Sequence, residues 1–140
     1  MSSINVYLTF NGTCREAMEF YSSVFGTTIE TMQTFADGPE SSGDIEGDRI
    51  MHASMSFENG TLMASDTPQE SSDLVIGGNF SLSLETKDSG QTDDWLQKLS
   101  ADGGTLTMPA EKTFWGAYFG MCRDRFGINW MILCDQQAEG

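Results

Sequence analysis

The sequence predicts an α+β fold made of two βαβββ modules. Three observations carry that expectation. The phrase NVYLTF at residues 5–10 returns as NFSLSL at residues 79–84. Each copy runs on into a stretch with apolar residues at helical spacing. Each helical stretch is then followed by three strand-like runs, so the order repeats at half the chain length, as a duplicated unit would.

Residues 4–10 alternate as a half-buried strand. Asn11-Gly12-Thr13 reads as a turn with Thr13 as N-cap, and Glu16 three places on completes a capping-box pattern. Residues 14–25 carry Ala17, Met18, Tyr21 and Val24 on one side of a helix, and Gly26 stops it. A short strand (27–35), a polar loop (36–48) and a strand (49–58) follow. Glu58-Asn59-Gly60 then turns the chain into a strand at 61–66, since Asn-Gly between strands is a strong hairpin signal. The second copy runs as a strand (79–85), a loop from Asp88 to Thr92, and a helix over about 91–101 with Trp95, Leu96 and Leu99 on one side. Gly103-Gly104 ends that helix; no helix follows the pair, so it is no phosphate loop. Strands at 105–108, 117–123 and 128–134 complete the module, the last two joined at Asp124-Arg125-Phe126-Gly127. One domain of 140 residues is expected, with modules at 4–66 and 79–135 and a linker at 67–78 carrying Pro68 and Gly77-Gly78.

Composition narrows the function classes. An apolar fraction of 39% suits a globular chain with a real core. No apolar run approaches the roughly 20 residues of a membrane span, and MSSINVYLTF lacks the basic start of a signal peptide. Cys14, Cys122 and Cys134 form no CxxC spacing, which suits reduced thiols in a cytoplasm. The net charge is −14 and the seven basic residues are scattered. Nucleic acid is therefore not an expected partner, because phosphate contacts need clustered Lys and Arg.

Taken together, NVYLTFNGTCREAMEFYSSVFG, RIMHASMSFENGTLMASD, NFSLSL and MPAEKTFWGAYFGMCRDRFGINWMI resemble the vicinal oxygen chelate superfamily. That superfamily includes glyoxalase I, extradiol dioxygenases and bleomycin-resistance proteins. The resemblance is to its PhnB-like branch and covers about residues 4–135. It implies that each module curls its sheet into an open half-barrel around a cavity. It also implies pairing of two chains as a homodimer, in which Phe114, Trp115, Phe119 and Met121 would be covered.

Strand alternation assigns faces. Val6, Leu8 and Phe10 are expected on the helix side, leaving Asn5, Tyr7 and Thr9 inward. Phe80, Leu82 and Leu84 go to the helix side, leaving Asn79, Ser81 and Ser83 inward. Met51, Ala53, Met55 and Phe57 alternate with His52, Ser54 and Ser56. The inward face is thus expected to be small and polar, which reads either as a solvated sheet face or as a hydrated pocket for a small organic molecule. Metal-dependent relatives place four ligands at positions that read Asn5, Ala64, Asn79 and Met131 here; a slip of a residue or two would bring Asp66 or Asn129 there instead. Neither Ala nor Met offers oxygen or imidazole, so no metal and no cofactor are expected.

Other candidates remain beside plainer roles. His52, the one histidine, is either a general base or a hydrogen-bonded lining residue. Trp115, Tyr118 and Phe119 are either an aromatic wall for a flat ligand or core and dimer contacts. Cys122 and Cys134 lack a nearby base for a nucleophile's role. Arg123 and Arg125 can meet an anion, or Asp124 and Gly127 simply shape a turn. The expected ligand-binding set is Asn5, Tyr7, Thr9, His52, Ser54, Asn79, Ser81, Trp115 and Tyr118. The expected function is binding of a small molecule without metal. The alternative is an enzyme: a lyase or dioxygenase with a degenerate metal site, or a metal-free catalyst using His52.

Overall fold

A computed structural model describes residue 2 and residues 4–37, 47–70 and 73–135. Most of the expected 36–48 loop, and residues 71–72 of the expected linker, lie outside the described residues. The chain divides into two compact units, Met1–Val75 and Ile76–Gly140.

The first unit holds β1 (Val6–Phe10), α1 (Cys14–Phe25), β2 (Ile29–Thr34), a 3₁₀ turn (Phe35–Asp37), β3 (Ile50–Phe57) and β4 (Gly60–Asp66). The sheet order is β1-β4-β3-β2. β1 and β4 run parallel and the other pairs antiparallel. Alternation works as expected on β1, where Leu8 and Phe10 are buried and Tyr7 and Thr9 are exposed. α1 buries Ala17, Met18, Tyr21 and Val24 against Ala53, Met55, Leu62 and Ala64. Gly26 caps α1 in the left-handed conformation at φ 70, where a Cβ would be strained. On β3 the register slips between Gln33 and Thr34 of its partner, so Ile50 rather than Met51 is fully buried.

The expected capping box does not form. Thr13 makes no side-chain cap hydrogen bond. Asp66 at the end of β4 takes the role from 52 residues away: its Oδ1 accepts the Gly12 N–H at 2.8 Å and the Cys14 N–H at 2.9 Å. Its Oδ2 accepts the Ile50 N–H at 2.8 Å. A carboxylate outcompetes a hydroxyl for such donors because the charge strengthens the bond.

The second unit repeats the plan with β5 (Leu82–Glu85), α2 (Ser89–Leu99), β6 (Thr105–Lys112), β7 (Ala117–Arg123) and β8 (Asn129–Asp135), in sheet order β5-β8-β7-β6. β5 and β8 are the parallel pair. Two four-stranded open sheets with one helix each make this the expected α+β, glyoxalase/bleomycin-resistance-like fold. α2 starts two residues earlier than expected, because Asp88 accepts the Gln91 N–H at 2.8 Å as a true N-cap. β6 runs four residues longer than expected, since it pairs with β7 as far as Lys112. β5 starts three residues later. Its parallel partner begins at Asn129 and the ladder at Leu82↔Trp130, so residues 79–81 meet no strand backbone. Phe80, expected on the helix side, is instead exposed.

Candidate functional site

Each sheet has one face against its helix and one open face. The open face of the first unit is polar. Tyr7 and Thr9 come from β1, Thr61, Met63 and Ser65 from β4, His52, Ser54 and Ser56 from β3. On β2, Thr31 pairs with Ser54 and Gln33 with His52, so both belong to the same face. Thr31, Gln33, Thr61, Met63 and Ser65 escaped the sequence reading; for β4 the alternation of Leu62 and Ala64 with their neighbours was the available signal.

Tyr7 and His52 meet on this face. The phenol Oη lies 3.1 Å from His52 Nδ1, a reach from β1 to β3 across the whole width of β4. The rings stand 5.8 Å apart between centroids with planes 30° apart. Tyr7 keeps 48% of its surface exposed, so the pair is open to solvent. Asn5 is exposed and directly precedes β1. Chemically the pair offers a phenol, an imidazole and a ring of hydroxyls.

The open face of the second unit differs. Met121 pairs with Met131 and Phe119 with Leu133, and Met108 pairs with Met121 from the other side. The small polar lining expected in both modules therefore holds for the first alone. Asn79 and Ser81 precede β5 instead of lying in it, so Asn79 stands three residues before its strand where Asn5 stands one before its own. Ser83 takes the open-face position of β5, paired with Met131.

Tyr118 is on the helix-facing side of the second sheet, not the open one. Its Oη donates to Asp93 Oδ1 on α2 at 2.7 Å, and that bond holds the phenol pKa above its usual value. Gly120, two residues on, explains the parity. A Cβ there would stand 2.5 Å from the Leu96 side chain of α2, so this side of β7 is pressed against the helix. Trp115 sits in the β6–β7 turn, edge-on to Phe114 at 5.1 Å, with both rings exposed.

The metal positions of the fold family do not fit a metal here. Ala64 is fully buried on the helix side. Asp66 shares that side, with both carboxylate oxygens committed to backbone N–H groups. Met131 offers a thioether, and Asn129 donates its amide to the Phe80 carbonyl at 3.3 Å. Among the described residues no three His, Cys, Asp or Glu side chains come together. Cys14 and Cys122 are buried thiols whose pKa values burial pushes up to about 12, so neither offers a thiolate. Arg123 and Arg125 flank Asp124, which shapes the turn: its carboxylate accepts the Phe126 and Ile128 N–H groups and the Trp130 indole. Arg125 lies over the Phe126 ring.

Comparisons with known proteins agree with this architecture. A family model described as 3-demethylubiquinone-9 3-methyltransferase matches residues 2–133. Protein YjdN of Escherichia coli is 27% identical, over 92% of both chains. The crystal structure of PA1353 from Pseudomonas aeruginosa is 36% identical with a TM-score of 0.77, covering 95% of this chain and 98% of that one. A glyoxalase-related enzyme from Fulvimarina pelagi shares the fold at 18% identity and a TM-score of 0.64, covering 96% of this chain and 89% of that one.

Proposed function

The chain belongs to the family described as 3-demethylubiquinone-9 3-methyltransferase, the PhnB-like branch of the glyoxalase/bleomycin resistance/dioxygenase superfamily, and from that premise we propose that it binds a small organic molecule on the open face of its first sheet. The observation that carries the reading is the Tyr7–His52 hydrogen bond across β4. It gathers two hydrogen-bonding rings above a bed of hydroxyls, an arrangement that fixes a ligand's orientation more than it stabilises a sheet. The methyltransferase in the family's description is a name given to relatives and enters no step of this reading.

The same pair supports a second reading, a metal-free catalyst in which His52 takes a proton from a bound substrate. A metal-dependent lyase or dioxygenase finds no support in the donor set.

The experiment is a thermal-shift screen of metabolites, followed by amide NMR shifts for each hit. The expected result is a ligand that moves amides of β1, β3 and β4 and loses affinity in Tyr7→Phe and His52→Gln. Hits whose shifts avoid these strands would refute the site. Turnover of a hit, abolished in His52→Gln, would select the second reading.

A further inference from the structure

The open face of the first sheet carries no charge at any strand position among the described residues, although the chain holds 21 acidic and 7 basic side chains. The described charges of this unit lie elsewhere, with Asp37, Asp48, Glu70 and Asp73 outside the strands. Arg15, Glu16 and Glu19 are on α1, Glu58 is in the β3–β4 turn, and Asp66 and Arg49 are buried. Glu30 falls in the bulge of the outer strand β2, where alternation breaks. An anionic ligand set down here would lose its hydration without gaining a guanidinium or ammonium. A cationic one would gain no carboxylate. Either loss is costly.

The hydrogen-bonding pattern narrows the occupant further. The Tyr7–His52 hydrogen bond uses one donor and one acceptor of the pair, whichever ring nitrogen carries the proton. The pair then presents one donor beside one acceptor: Nε2–H and the phenol oxygen in one tautomer, the phenol O–H and Nε2 in the other. Its two rings are flat with planes inclined by 30°, so a planar molecule can lay a face or an edge along them.

We infer, resting on the binding site proposed above, that the ligand is a neutral planar molecule carrying a carbonyl next to an N–H or O–H, of the carboxamide or hydroxy-carbonyl class. Carboxylates and phosphates meet no guanidinium or ammonium, and ammonium ions no carboxylate, at the described strand positions of this face.

Three isosteric probes test this: benzamide, benzoate and benzamidine, titrated into the full ¹⁵N-labelled chain. Benzamide is expected to shift the amides of β1, β3 and β4, with benzoate and benzamidine about tenfold weaker or more on the same amides. Tyr7→Phe is expected to weaken benzamide about threefold or more with the other amide positions unmoved. Benzoate or benzamidine binding these strands as tightly as benzamide would overturn the ligand class and leave the site standing. Benzamide affinity unchanged in both Tyr7→Phe and His52→Gln would also overturn it. Shifts from none of the three would sink the site itself, and the class with it.

Discussion

Asp66 and Cys14 stand 52 residues apart in sequence and 2.9 Å apart in space, the carboxylate of one accepting the backbone N–H of the other. With Gly12 and Ile50, three backbone donors depend on this one side chain, those of Cys14 and Ile50 buried and that of Gly12 part-buried. Asp66→Ala leaves all three without it, at about 1 kcal/mol or more each, so a total loss of about 3 kcal/mol is expected in urea unfolding. Asp66→Asn keeps one accepting oxygen and loses less. A change below about 1 kcal/mol for Asp66→Ala would disprove the structural role.

The two helix starts should respond unequally to the same kind of truncation. Asp88→Ala removes a formed cap, the Gln91 N–H bond at 2.8 Å, and is expected to cost about 1 kcal/mol. Thr13→Ala removes a residue that caps nothing and is expected to cost less than about 0.5 kcal/mol. Equal costs would mean that Thr13 caps α1 in solution.

The thiols should be inert in the native state. Cys14 and Cys122 are raised from 9.0 to about 12, by burial first and then by Asp66 and Asp124 respectively. At pH 8 a disulfide reagent should titrate neither until denaturant is added. The linkage has a defined sign. A thiol pKa raised by folding adds stability that is whole below about 9 and is lost as pH rises from 9 to about 12. Melting temperature should therefore fall across that alkaline window, and less steeply in Cys14→Ala than in the parent chain.

Transition metals should have no home. We expect no stoichiometric metal after purification without added metal, and no rise in melting temperature with Zn²⁺, Ni²⁺, Mn²⁺ or Fe²⁺. A metal at ten times its dissociation constant would add about 1.4 kcal/mol, which a melting curve resolves. Elemental analysis near one metal per chain, lost in Asn5→Ala, would restore the metalloenzyme reading.

A homodimer is expected from the β6–β7 turn. Phe114 is 98% exposed and Trp115 58%. The turn that holds them is tied by Thr113, whose backbone N–H reaches the Ala117 carbonyl at 2.7 Å and whose Oγ1 accepts the Ala117 N–H at 3.0 Å. Two large rings fixed in water argue for a covering partner. Light scattering should give about twice the 15.4 kDa chain mass, with Phe114→Ser and Trp115→Ser together shifting it toward the monomer. A monomer mass at micromolar concentration would defeat this.

Local pattern carried much of the fold. Period-two alternation was enough to put Tyr7, Thr9, His52 and Ser54 on one face, because strand geometry sends neighbouring side chains to opposite sides whatever the rest of the chain does. Glycine and Asn-Gly signals located the end of α1 and the β3–β4 hairpin for equally local reasons. On β7 the same rule failed. Ala117, Phe119 and Met121 are the more apolar set, so the pattern favours them for the helix side and Tyr118 for the open face. The packing of Leu96 against Gly120 reversed that phase and sent Tyr118 to the helix side.

What the sequence by itself determined is the class of the chain: two βαβββ modules, their turns, and a polar face on the first. Only the tertiary structure decided which distant groups meet. The Tyr7–His52 bond needs β4 to lie between β1 and β3, and the Asp66 cap needs the end of β4 beside the start of α1. Hydrogen bonds act over about 3 Å. No spacing along a chain reveals a contact that exists only after strands 45 or 52 residues apart have been laid side by side.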